Sequence, residues 1–162
     1  MNYYDEIAES YNELHSEEQN KKYQVLKSTE IISETDSIID IAHGTGIIRE
    51  IFQKNQIIGL DNSEKLLSYS NCDTIKHDFN NLPLPFKNNQ FDHSICMSAI
   101  HHSNNPSSLG LEMKRISKET ISISILKKSK NYDGIKNSLI DTLGKPMMEK
   151  DAYQDILLVW QI

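Results

Sequence analysis

Apolar positions along the chain follow two spacings in alternation. The β-branched runs Ser37 to Ile41, Gln56 to Leu60, Asp73 to His77 and Phe91 to Met97 read as strands. Between them, Ile47 to about Gln53 and a short stretch after Ser63 read as helices. Strands that alternate with helices predict βαβ units, with parallel strands joined by right-handed crossovers. Pro83 and Pro85 exclude regular structure from NNLPLPFKNNQ and predict a loop over the sheet edge. Asn105 and Pro106 have the form of an N-cap and a first helical position, opening a helix through Ile116. Thr120 to Leu126 alternates with period two and gives a fifth strand, and Tyr132 to Leu143 gives a helix ended by Gly144. A short run near Met147 and a long apolar one, Ile156 to Ile162, complete the pattern.

Ahead of the first strand, Tyr4, Ile7, Ala8, Tyr11 and Leu14 fall at helical spacing and predict one helix. Ser16 followed by Gln19 has the form of a capping box, which predicts that a second helix starts there and buries Tyr23 and Leu26.

A chain of 162 residues is the size of one domain, and it can bury a core without disulfides or metal. Cys72 and Cys96 fit that reading, since they form neither a CxxC nor a Cys/His cluster. No apolar run approaches the length of a membrane span, and the acidic start MNYYDEIAES lacks a basic then apolar leader, so a cytoplasmic protein is expected. The net charge of −6 argues against independent binding to nucleic acid, which depends on cationic side chains displacing counterions. Lys127, Lys128 and Lys130 read as a solvated loop at a strand end.

The candidate chemistry gathers at the strand tips. Gly44 and Gly46 lie between the first strand and the next helix, where glycines let the backbone approach a ligand and free amides meet its polar groups. Asp61 ends the second strand, placed to accept hydrogen bonds from both hydroxyls of a ribose. Asp78 follows the third strand, and His101 and His102 follow the fourth, on the face where a ligand would lie. Histidine has an ordinary pKa suited to general-base work, which makes the pair the catalytic candidates.

IIDIAHGTG, GLDNS, HDFNNLPLPF and FDHSICMSAIHH, in that order, resemble the successive motifs of the class I S-adenosylmethionine-dependent methyltransferases. The resemblance covers roughly Tyr3 to Leu126 and is nearest to the methyltransferase type 11 branch typified by ubiquinone and menaquinone biosynthesis. It implies an α/β fold with a Rossmann-like seven-stranded sheet, mostly parallel with an antiparallel C-terminal strand, and helices on both faces. It further implies one domain over residues 1–162, with residues 1–35 lying as helices over the cofactor mouth. The implied cofactor is S-adenosylmethionine, and no metal is expected. The cofactor-binding positions carried over are Tyr11, Asp40, Ala42, Gly44, Gly46, Asp61, Asn62, Asp78, Phe79 and Met97, with Asp78 at the adenine amino group. The branch acts on quinone precursors, other small metabolites and RNA bases, and some RNA-directed relatives need a small zinc-binding activator protein, so such an activator is a candidate partner. The chain lacks substrate-capping insertions, which leaves room for a large acceptor or for completion of the site by a partner.

The chain departs from the pattern where the family usually has glycine and this sequence has Ala42, followed by His43 in place of a small residue or cysteine. Alanine is disfavoured at positive φ, so its presence predicts negative φ at residue 42. Two other classes share part of the pattern. A dinucleotide oxidoreductase would carry the fuller GxGxxG, whereas Gly46 here precedes Ile47 and Ile48. A non-catalytic cofactor-binding or partner-stabilising subunit fits Ala42 and the missing cap, and methyl transfer to any acceptor separates it from an enzyme.

Overall fold

Isoleucine dominates the central strands of a computed structural model of the chain, which describes residues 3–162. The elements in chain order are α1 Tyr3–Ile7, α2 Tyr11–Lys27, β1 Ser37–Ile41, α3 Ile48–Ile51, β2 Gln56–Asp61, α4 Glu64–Leu67, β3 Asp73–Lys76, β4 Phe91–Cys96, α5 Pro106–Ile116, β5 Ser117–Leu126, α6 Tyr132–Leu143, β6 Met148–Ala152 and β7 Asp155–Gln161, with one 3₁₀ turn over Ile100–His102. The strands form one sheet in the order β3-β2-β1-β4-β5-β7-β6. Pairing is parallel from β3 through β5, and β7 runs antiparallel to both its neighbours. Among the described residues no helix is long and apolar enough to cross a membrane.

Alternation along each strand sends side chains to two cores, one on each face of the sheet. Ile39, Ile41, Leu158 and Trp160 pack with Leu109 and Met113 of α5 and Leu139 of α6. Ile38, Ile57, Leu157 and Val159 pack on the other side with Tyr23 and Leu26 of α2 and Ile48 of α3. The chain leaves β1 for β2 and β3 on one side and returns to β4 on the other, so the strand order reverses between β1 and β4. That switch point opens a crevice at the carboxyl ends of the strands, and the site lies there.

Three details differ from the sequence expectations. The break near the N-terminus spans Ala8, Glu9 and Ser10, where Ser10 N–H bonds Ile7 O at 3.0 Å, so Ser16 lies inside α2 and caps nothing. The expected first stripe is thereby divided between two helices, and Leu14 is left exposed. The fifth strand also begins three residues early, at Ser117. Ser117 pairs with Phe91 across the sheet, and its hydroxyl reaches Ser94 Oγ at 2.8 Å and Met113 O at 2.7 Å.

α2 is fastened to the sheet by a buried charge. Lys22 is 1% exposed. Its Nζ lies 3.0 Å from Asp155 Oδ1 at the start of β7 and 2.8 Å from Ser98 Oγ beyond β4, while Glu18 one turn back supplies a second carboxylate at 2.5 Å. Asp155 Oδ2 accepts hydrogen bonds from Ser98 Oγ and Ser124 Oγ. Breaking a buried pair by removing one partner costs about 3–5 kcal/mol. Asp155→Ala is therefore expected to lower the unfolding free energy by about 3 kcal/mol in urea titrations followed by circular dichroism. The double change Lys22→Met with Asp155→Leu should recover much of that loss, and a single-mutant loss below about 1 kcal/mol would contradict a stabilising role for the pair.

Candidate functional site

The crevice holds a cavity of about 590 Å³, within the usual range for a site of a small organic ligand. Its floor is the loop after β1. Ala42 and Gly44 line it, followed by Asp61 and Asn62 after β2, Asp78 and Phe79 after β3, and Met97, His101 and His102 after β4. Tyr11 of α2 closes it from above, together with Tyr4 of α1. Asp40 and Gly46, expected at the ligand, do not line the cavity.

Asp40 is completely buried in β1. Its carboxylate accepts hydrogen bonds from the Tyr23 hydroxyl at 3.1 Å and from His43 Nδ1 at 2.8 Å. His43 Nε2 in turn lies 2.7 Å from Ser70 Oγ. Burial disfavours a charged His43, but the hydrogen bonds and charges of Asp40 and Cys72 outweigh it and raise the pKa to about 9. The same contact works on the Cys72 thiol, which burial would raise but which His43 and Arg49 hold below its ordinary value.

This histidine needs space that glycine provides. A Cβ on Gly59 of β2 would stand 2.2 Å from the His43 ring, and one on Gly46 would stand 2.6 Å from Ser70 Oγ and 2.8 Å from His43 Nε2. Gly46 also has φ of +82°, a conformation glycine adopts at no steric cost. Ala42 was expected at negative φ, yet its φ is +61°. The loop keeps a left-handed backbone there although a methyl group must bear it, and that methyl sits against the core as well as the cavity. Ser98, at the tip of β4, is likewise left-handed with φ of +55°.

Asp61 ties the loop to β2. Its Oδ2 accepts the Gly44 N–H and its Oδ1 the Ser63 N–H, both at 2.9 Å. Burial raises the Asp61 pKa, and the two backbone donors oppose that shift. Asp78 Oδ1 accepts the Asn80 N–H at 2.9 Å and so shapes its own turn. On the far side, the Nδ1 of His101 is buried without a hydrogen-bond partner, and burial together with His102 lowers the pKa of its ring. His102 is lowered by burial too, and its Nε2 meets the Tyr4 hydroxyl at 3.1 Å. Further ties hold the N-terminal helices over the opening. Ser63 Oγ bonds Asp5, and Thr45 Oγ1 donates to Asn12 at 2.5 Å. A separate group of His93, Asp36 and Glu119 gathers at the opposite end of the strands, where Thr120 Oγ1 occupies the second ring nitrogen of His93.

Sequence reasoning missed Glu18, Lys22, Ser98 and Gln154, which also line the cavity. Lys22 had a signal, since it falls one turn before buried Leu26 and one turn after Glu18 on a single face of α2. Ser98 and Gln154 had none.

Two measurements test this loop. The folded pKa of His43 lies above its ordinary 6.5, so the stability it contributes is complete below about pH 6.5 and is lost as pH rises toward 9. Melting curves from pH 6 to 9.5 should show a decline on the order of 1–3 kcal/mol that is absent from His43→Gln. A flat profile, or an equal decline in the variant, would contradict the assignment. At Ala42, glycine would relieve a left-handed alanine, worth about 1–2 kcal/mol, against about 0.4–1 kcal/mol of unfolded-chain entropy. Ala42→Gly is therefore expected to raise the melting temperature by about 2 °C. A fall would mean that packing of the methyl outweighs the backbone strain.

A model of the methyltransferase domain family matches residues 39–120. No curated protein sequence matches the chain. Among solved structures, one similar to it comes from the complex between the Haloferax volcanii Trm112 methyltransferase activator and a candidate methyltransferase. It has a TM-score of 0.78 and 15% identity, covering 100% of this chain and 98% of the other. A SAM-dependent methyltransferase from Aquifex aeolicus has a TM-score of 0.70 and 17% identity over 94% of this chain and 93% of its own. Magnesium protoporphyrin IX methyltransferase from Synechocystis PCC 6803, solved with bound SAM, has a TM-score of 0.68 and 15% identity over 90% and 79%.

Proposed function

The chain belongs to the methyltransferase domain family, and from that premise we propose that it is an S-adenosylmethionine-dependent methyltransferase acting on a small metabolite or an RNA base. The observation that carries the reading is the pairing, at one switch point, of a buried acid that pins the glycine loop with a cavity of nucleoside-accommodating size. The residues fit the donor. Each Asp61 oxygen accepts one backbone N–H, which leaves a lone pair on each for a ribose hydroxyl. Asp78 and Phe79 flank the position assigned to adenine, Asn62 follows Asp61, and the loop of Ala42 and Gly44, with Tyr11 and Met97, borders the remainder.

The bound sulfonium supplies an activated methyl group, so the protein's task is chiefly positioning and exclusion of water. α1 and α2 shield the cavity, fastened by Tyr4 to His102 and by Asp5 to Ser63. His101 and His102 are the catalytic candidates. His101 lines the cavity and is favoured in its neutral form, which suits its imidazole to accept the proton that the acceptor sheds. Ala42 fits an enzyme as well as glycine would, because the backbone holds the left-handed turn regardless. Association with a small activator protein is part of the proposal, supported by the Haloferax volcanii complex. A cytoplasmic location goes with it.

Calorimetric titration with S-adenosylmethionine and S-adenosylhomocysteine tests the reading, with NAD as the control. Asp61→Ala removes charge-assisted hydrogen bonds worth about 1.5–3 kcal/mol, an expected loss of about tenfold to a hundredfold in affinity. Asp78→Ala should lose less, since its proposed contact is a single hydrogen bond. Binding of NAD in place of both adenosyl ligands, or an unchanged dissociation constant for folded Asp61→Ala, would refute it.

A further inference from the structure

The cavity has two halves that meet at the switch point. One lies over β1, β2 and β3, carries Asp61 and Asp78, and is the half assigned above to the donor. The other lies over β4, β5 and the turn between β6 and β7, and its polar groups are Glu18, Lys22, Ser98, His101 and Gln154.

Glu18 is the acid of this second half. Its side chain is 33% exposed and lines the cavity, while its Oε1 is held at 2.5 Å by Lys22. Lys22 is buried and must stay compensated, so it keeps the carboxylate from swinging out to solvent. Among the described residues the second oxygen, Oε2, makes no hydrogen bond or ion pair. Lys22, Asp155 and Glu18 together carry one positive and two negative charges, so the cluster holds a surplus negative charge beside the cavity. His101 lines the same half, and its Nδ1 is buried without a hydrogen-bond partner. Toward the mouth, the rings of Tyr4 and Tyr11 meet edge to face at 6.3 Å, and Tyr4 meets His102 at 6.1 Å. Aromatic rings beside a partly shielded carboxylate suit a cationic head on a flat or apolar body.

We propose that this half binds an amine-bearing methyl acceptor, its N–H head held by Glu18 Oε2 and its body lying along Tyr4, Tyr11 and His102. The inference rests on the methyltransferase reading and adds the class of acceptor. The same surplus charge rejects acceptors that carry a carboxylate or phosphate near the reacting atom. For transfer, the nitrogen gives one proton to the imidazole of His101, which lines this half. Its lone pair then forms the new N–C bond as the C–S bond breaks, and that electron pair leaves with sulfur.

The test uses the full chain saturated with S-adenosylhomocysteine and three probes that share one ring: tyramine, tyrosol and 4-hydroxyphenylacetate. Ligand-observed NMR titration gives a dissociation constant for each. Tyramine is expected to bind about tenfold more tightly than tyrosol, with 4-hydroxyphenylacetate weakest. Glu18→Gln keeps the shape of the side chain and should cost tyramine about tenfold while leaving tyrosol and S-adenosylhomocysteine within about twofold. Equal binding of the three probes, preference for the acid, no binding of tyramine to the saturated protein, or an unchanged tyramine constant in Glu18→Gln would overturn the proposal. The ranking by the unmodified protein decides the matter even if the variant does not fold. Failure of S-adenosylhomocysteine itself to bind would instead remove the donor reading beneath it.

Discussion

A carboxylate with no solvent exposure, Asp40 in the central strand, sets terms that its neighbours must meet. Burying an ionised acid is expensive unless it is paired and hydrogen-bonded. Here Tyr23 comes from α2 and His43 from the loop directly after the strand. The histidine then needs room, which Gly59 and Gly46 leave for it, and a partner for its second nitrogen, which Ser70 provides. One buried charge thus couples the N-terminal helix, two strands and the loop that floors the cavity. The imidazole at position 43 is accommodated because the adjacent strand carries a glycine, Gly59, in register with Asp40.

The cavity is bordered by two non-glycine residues in left-handed conformation, Ala42 after β1 and Ser98 after β4. Such positions persist only where the surroundings over-determine them. At Ala42 the constraint comes from β1, from packing of the methyl, and from Asp61 holding the next residue but one by its N–H. At Ser98 it comes from the backbone bond to Ser124 Oγ at 2.7 Å and from the side-chain bond to Asp155. The two tips flank the place where the strand order reverses, so the strain is concentrated where the chain must turn toward a ligand.

Much of this was legible in the residues. The strand at Ser37–Ile41, the helix at Pro106–Ile116 and the helix at Tyr132–Leu143 end where the sequence places them. Each is bounded by local chemistry, such as Asn105 accepting the Ser108 N–H at 3.0 Å or Gly144 at φ of +86°. The place of Asp61 beside the cavity was legible because strand tips in such a sheet share one edge. The failures lie where distant parts of the chain decide. The pairing of Ser16 and Gln19 is a local signal that tertiary packing of α2 overrides. Positive φ at Ala42 is imposed against the preference of alanine by Asp61 and the core. The inward face of Lys22 depends on an acid at Asp155 that no local pattern connects to it.

That last pairing has a consequence for how the molecule comes into being. Glu18 accompanies Lys22 on α2 from the start, but Asp155, the fully buried acid that meets the ammonium group inside the fold, belongs to β7 and is made much later. Until β7 joins the sheet, seating α2 would leave a charge under-compensated in an apolar setting, so the half-made chain has reason to keep this helix in water. A chain truncated before Asp155 would keep the Tyr23–Asp40 anchor of α2 but lose the buried carboxylate that receives Lys22.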